Sequence, residues 1–344
     1  MRSRAPEYSG GAELAPARDP KTLAAVAGQP VPSSSASGSA APTPASAAPV
    51  AVPRLPGTPE LTKDGLYVFT SGGIELAVDP KHGGNAVRFA LDGKDALVIP
   101  DPEYGAPSHL SVIASTATVR HARTTPFWRD PDPYLAELEG GTLLLKAEGD
   151  TGALHYAKRY RLDTARRSVE VTYMLENAAD QIFAIYAVES HLVPVAGGLT
   201  FFPSAKQQPP SPPGLSLKIN VATSVAWFAH DQSLQPAWQT ADALGTESWV
   251  ATANDNLLFV KTFGSASSAS SPASNDEIRI SRFYDDKTKQ HPVVSIDESN
   301  SFREVRPGAA VVWNVRWFLR KLPPSIVAKP GNQELVGFVR GVIQ

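Results

Sequence analysis

The 344-residue chain contains no cysteine, which removes disulfides, thiolate nucleophiles and cysteine-ligated metal sites together. It also lacks an excess of charge of either sign. Lys and Arg number 32 against 34 Asp and Glu, for a formal net charge of -2, and no run of like charge stands out. Nucleic-acid binding draws on a basic face that neutralises phosphates, so no nucleic-acid partner is expected. No apolar stretch approaches the roughly 20 residues that cross a bilayer, so no membrane span is expected either. There is no G-x-S-x-G elbow and no glycine-rich phosphate loop, which argues against serine-hydrolase and nucleotide chemistry. The seven histidines show no H-x-x-x-H spacing, and no Asp/Asn loop marks a calcium site; neither a metal nor another cofactor is expected.

What is present is unevenly distributed. Of the first 60 residues, 38 are Ala, Pro, Ser or Gly, and Tyr8 is the only aromatic among them. Such a stretch buries too little apolar surface to offset the entropy of ordering it, so residues 1–60 are expected to be a disordered tail. No apolar signal-peptide core follows Arg2 and Arg4, yet the tract Gln29–Pro56 is similar to the tethers behind export signals. A periplasmic or secreted location is the expectation. Residues 61–344 hold the other aromatics and no interdomain linker, and are expected to form one domain.

From Leu61 onward the chain reads as short runs of β-branched and aromatic residues, broken by turn signals about every ten residues, such as Asp92-Gly93, Gly140-Gly141 and Pro307-Gly308. Sixteen strands are predicted, among them Ser168–Glu176, Ile182–Val193, Leu257–Phe263, Val293–Ile296 and Ala309–Arg320. In Ser168–Glu176, Val169, Val171, Tyr173 and Leu175 share one face, as in a strand with one side buried. Trp313, Val315 and Trp317 likewise share a face and read as core, which turns Asn314 and Arg316 the other way. The only helical candidate is Asn332–Ile343. The fold class is therefore all-β: a large antiparallel two-sheet sandwich around one long core.

Several pieces, in order, carry a family resemblance. They are Phe127-Trp128-Arg129-Asp130-Pro131, Lys158-Arg159-Tyr160, Ala187-Val188-Glu189-Ser190-His191, Gly197-Gly198-Leu199-Thr200-Phe201-Phe202-Pro203, Val293–Glu298 and Trp313-Asn314-Val315-Arg316-Trp317. The order resembles an uncharacterised bacterial domain family that is similar to the galactose mutarotase (aldose 1-epimerase) superfamily. The resemblance implies a β-supersandwich with a concave face that commonly binds sugars, and thus a sugar or glycan ligand. It implies no established reaction.

Mutarotation needs an acid and a base on opposite sides of an anomeric centre, and the superfamily uses histidines and a late glutamate for it. Histidine suits the work because its pKa lies near neutrality. Here Glu189 and His191 share a face of one predicted strand, and Asp297 or Glu298 on a late strand is the matching carboxylate. The commoner outcome of that spacing is a solvated or ion-paired couple on an outer face. His109, after Pro107-Ser108, is a second histidine candidate, and Tyr186 stands close to the first pair. Trp128 offers a flat ring to the apolar face of a sugar, with Arg129 beside it for hydroxyls, although the same ring would equally plug the end of the sandwich. Arg316 completes the ligand-binding candidates. A carbohydrate-binding protein is the leading reading; an aldose-epimerase-like enzyme and a partner-binding sandwich are the alternatives.

Overall fold

A computed structural model describes residues 56–98, 108–116, 127–129, 133–148, 153–204, 220–230, 239–264, 277–283, 293–300 and 303–344. The chain divides into two units, Met1–Val52 and Pro53–Gln344, and everything below belongs to the second. The expected tail lies outside the described residues as far as residue 55.

The strands run, in chain order, β1 (Glu60–Leu61), β2 (Tyr67–Ser71), β3 (Ile74–Asp79), β4 (Asn85–Leu91), β5 (Lys94–Asp95), β6 (Ser108–Thr116), β7 (Phe127–Arg129) and β8 (Tyr134–Glu139). They continue with β9 (Thr142–Ala147), β10 (Leu154–Asp163), β11 (Ser168–Asn177), β12 (Phe183–Pro194), β13 (Gly198–Pro203), β14 (Asn220–Ala222), β15 (Val225–Ala229) and β16 (Gln239–Leu244). The last are β17 (Trp249–Asn254), β18 (Leu257–Phe263), β19 (Glu277–Phe283), β20 (Val293–Ser299), β21 (Arg303–Val305) and β22 (Ala310–Lys321), before the helix α1 (Gln333–Ile343). The strand pairings are antiparallel.

The ladders make three sheets: β1-β2-β3-β4-β5; a ten-stranded sheet, β14-β15-β13-β17-β18-β22-β11-β10-β9-β8; and a seven-stranded sheet whose path is β16-β19-β20-β12-β6-β7, with β21 on β12. The large antiparallel sandwich anticipated from the strand pattern is what forms.

Side-chain alternation builds the core. Val169, Val171, Tyr173 and Leu175 of β11, with Trp313, Val315 and Trp317 of β22, are buried in one continuous cluster. The seven-stranded sheet contributes Ile185, Ala187, Ile278, Ile280, Val294 and Ile296 to the same cluster. Phe89 of β4 meets Phe259 and Trp317, which ties the five-stranded sheet to it. Burial of this apolar area is the main favourable term of the fold.

A second, smaller core lies on the opposite face of the ten-stranded sheet. There Leu335, Val336 and Val339 of α1 pack with Phe201, Trp227, Trp249, Leu258 and Phe318. Those helix positions are one apolar stripe. Asn332 caps the helix, its side chain accepting from the Glu334 N–H at 3.0 Å.

Two departures from the predicted strands matter later. Glycines 197 and 198 read as a turn, but Gly198 is the first residue of β13. The late strand does not stop at Ile296: β20 runs on to Ser299, so Asp297 and Glu298 are in the ladder and point to opposite faces. Its serines and acids lower the apparent strand propensity, and pairing with β12 overrides it.

Gly198 is required by close approach. A Cβ there would lie 2.1 Å from Nδ1 of buried His230 and 2.7 Å from the Pro194 carbonyl. His230 cannot retreat, because its Nδ1 bonds the Pro194 carbonyl and its Nε2 bonds Thr200 Oγ1, each at 2.8 Å. Gly198→Ala should therefore lower stability by about 2 kcal/mol, within the range for overpacked cores. A lower urea midpoint at unchanged slope would show it; an unchanged midpoint would mean that the contact yields.

Candidate functional site

β12 and β20 are neighbours in the seven-stranded sheet, and their register sorts the candidate residues onto two faces. Glu189 stands directly opposite Glu298, and Ser190 directly opposite Asp297. On the other side of β12, Ser190 also faces His109 of β6. Side chains alternate along a strand, so Glu189, His191 and Glu298 turn into the sandwich while His109, Ser190 and Asp297 lie on its outer face.

The inner group is fully buried: Glu189, His191 and Glu298 are each 0 % exposed. The outward, solvated placement of Glu189 and His191 is thereby corrected. The pair occupies the core, because Ile185 and Ala187 of the same strand face are core residues. Lys261 of β18 reaches across from the ten-stranded sheet. Its Nζ lies 2.7 Å from Glu189 Oε2 and from His191 Nδ1, and it pairs with Glu298 as well. Tyr173 donates its hydroxyl proton to Glu189 Oε1. The His191 ring packs edge-on to Trp317, with centroids 4.7 Å apart.

Glu189, His191 and Glu298 offer three metal-type ligand atoms within 4.8 Å of one another. The point on which they converge is taken by the Lys261 ammonium, which acts as the cation of the cluster. Burial lowers the Lys261 pKa to about 8, against the upward pull of Glu189 and Asp297. Burial alone pushes the Glu189 carboxyl up, but Lys261, His191 and Tyr173 together outweigh it and hold it below 4.5. Burial, then the adjacent ammonium, then His109 keep His191 well below 6.5, with Glu189 opposing. His191 is thus neutral at neutral pH, accepting from Lys261 through Nδ1.

The outer face carries a row of polar residues at one register across five strands: Asp242 (β16), Arg279 (β19), Asp297 (β20), Ser190 (β12) and His109 (β6). Asp297 and His109 are half-buried. Asp297 Oδ1 accepts from Ser295 Oγ at 2.5 Å. Burial raises the Asp297 carboxyl above 3.8, moderated by hydrogen bonds from Ser295 and Ser190 and by the charges of His109 and Arg279. Arg279 donates to both oxygens of Asp242, at 2.6 and 3.3 Å. His109 and Asp297 flank Ser190, two strand spacings or about 10 Å apart at Cα.

The remaining candidates are placed apart from one another. Tyr186 lies on the outer face of β12, four residues before Ser190 and half-buried. Trp128 and Arg129 pair with Val112 and Ser111 at the β7 edge; their side chains are outside the described residues. Arg316 is on the outer face of the ten-stranded sheet, where it donates to Asp163 Oδ2 and Ser168 Oγ, each at 3.1 Å, and pairs with Glu170.

Five residues of these two groups were not among the candidates: Ser190, Arg279, Asp242, Lys261 and Tyr173. For Lys261 a signal existed. It occupies an inward position between Phe259 and Phe263 on an otherwise apolar strand face, where a lysine needs a buried partner.

Comparison with known proteins bears on the fold. No family model matches the chain, and no curated protein matches it. A galactose mutarotase-like protein from Lactobacillus casei superposes with a TM-score of 0.53 at 9% identity, over 74% of this chain and 100% of that one. This chain has the galactose mutarotase-like fold. A candidate aldose 1-epimerase from Escherichia coli K12 superposes with a TM-score of 0.51 at 12% identity, over 75% of this chain and 99% of that one.

The state of His191 has a consequence for stability. Its folded pKa is depressed, so its contribution is complete above the unfolded value of 6.5 and is lost as pH falls below it. Acidification from pH 7.5 to 5 should lower the melting temperature of the native chain more than that of His191→Gln. Parallel melting curves would show that His191 does not carry the acid sensitivity.

Proposed function

We propose that the chain is a carbohydrate-binding protein whose ligand lies along the outer-face row of the seven-stranded sheet. The observation that carries this reading is the row itself. Hydroxyl, carboxylate, imidazole and guanidinium groups at one register give alternating donors and acceptors, which is what adjacent sugar hydroxyls require. Tyr186 on the same face offers a ring to the apolar side of a sugar. The inner cluster is sealed and so belongs to the scaffold in this reading. The fold neighbours are described in terms of sugar epimerisation, which favours the same ligand class.

A second reading, aldose 1-epimerase-like catalysis, is favoured by one specific observation. His109 and Asp297 stand on either side of Ser190 on one face of the sheet, an imidazole and a carboxyl at one register. An imidazole would take the anomeric proton, and an Asp carboxyl with its pKa raised would protonate the ring oxygen.

Calorimetric titration of the whole chain with a panel of mono- and oligosaccharides tests the first reading, with polarimetry on any sugar that binds. One sugar class should bind saturably, Asp297→Asn and His109→Gln should each weaken it at least tenfold, and Arg316→Ala should leave it unchanged. Accelerated mutarotation lost in both variants would establish the enzyme. Silence across the panel would overturn the sugar site and leave a partner-binding sandwich.

A further inference from the structure

Glu189 and Glu298 are a direct cross-strand pair of carboxylates in the interior. Like charges directly opposite one another destabilise a strand pair, and burial removes the water that would screen them. The compensation comes from the other sheet. Lys261 binds Glu189 Oε2 at 2.7 Å and pairs with Glu298. Glu189 has a second support in the Tyr173 hydroxyl. Glu298 has none: apart from the Lys261 ammonium, no described residue donates to either of its oxygens. One step along each strand, Ser190 and Asp297 are the next cross-strand pair, on the opposite face.

We propose that Lys261 is a positioning residue for the outer face: by binding two opposed carboxylates at once, it holds β12 and β20 together where Ser190 and Asp297 present as a unit beside His109. The inference rests on the sugar-site reading for its functional sense and on the cluster geometry for its physical sense. Lys261 itself touches no ligand. It acts through Glu189 and Glu298, and its ammonium lies close enough for Asp297 to raise its pKa across the single layer of backbone. The groups facing Asp297 are Ser295, Ser190, His109 and Arg279 on its own face, with Glu298 and Lys261 behind it.

The test uses the full chain and two variants. Lys261→Met removes the cation and leaves two carboxylates opposed. Lys261→Met/Glu298→Gln removes one charge of each sign, so the net charge of the cluster is unchanged and the opposition is gone, which guards against simple unfolding. Amide exchange across β12 and β20 is read by NMR as a function of pH, and sugar binding by calorimetry. Exchange at the amides around Ser190 and Asp297 should accelerate at least tenfold in the double variant, with a matching loss of affinity. The single variant should recover protection as pH falls, starting above the ordinary carboxylate range because burial and mutual repulsion raise the opposed carboxyls once the ammonium is gone. Protonating either glutamate removes the repulsion; a mere packing role would show no such pH dependence. Native exchange and affinity in the double variant would overturn the proposal. If the native chain binds no sugar, the sugar-site reading fails, while the exchange data still decide whether Lys261 positions these strands.

Discussion

Two carboxylates facing each other on adjacent strands are an unstable arrangement in a dry interior, and the ammonium of Lys261 between them makes it tenable. Glu189 and Glu298 come from the seven-stranded sheet and Lys261 from the ten-stranded one, so the interaction spans the sandwich. Around it the aromatic wall of Trp317 and Phe259 excludes water. Exclusion strengthens the ion pairs and makes the loss of any one partner costly, on the order of 3–5 kcal/mol for a broken buried pair. Elsewhere the core is mostly apolar, with buried Lys158, bonded to the Gly83 carbonyl and Asn85 Oδ1, as another polar insertion.

The same strands serve two environments because alternation is strict. On β12, Glu189 and His191 are core while Ser190, between them, belongs to the outer face; on β20, Glu298 is core and Asp297 is not. A single sheet layer therefore carries a fully buried ionic cluster on one side and, on the other, a polar row in which Ser190 is buried and His109, Asp297 and Asp242 are half-buried. Arg316, by contrast, is spent on Asp163 and Glu170 on a different sheet face.

Much of the architecture was legible in advance. Val169, Val171, Tyr173 and Leu175 announce a strand with one buried face, and Trp313 and Trp317 announce core four residues apart. The stripe Leu335, Val336 and Val339 behind Asn332 announces the final helix. The strands that escaped notice did so for local reasons. β8 (Tyr134–Glu139) is acidic, and β13 opens on a glycine that exists to admit His230.

Sequence alone determined that this chain is all-β, that Tyr173, Trp313 and Trp317 are core, and which residues share a strand face, because a period of two is local. Only the tertiary structure decided which face of β12 and of β20 is inside. Register between β12 and β20 placed Glu298 against Glu189 and Asp297 against Ser190, and the opposing sheet brought Lys261 some seventy residues along the chain to meet His191. Those pairings depend on contacts far apart in sequence, and no local pattern encodes them.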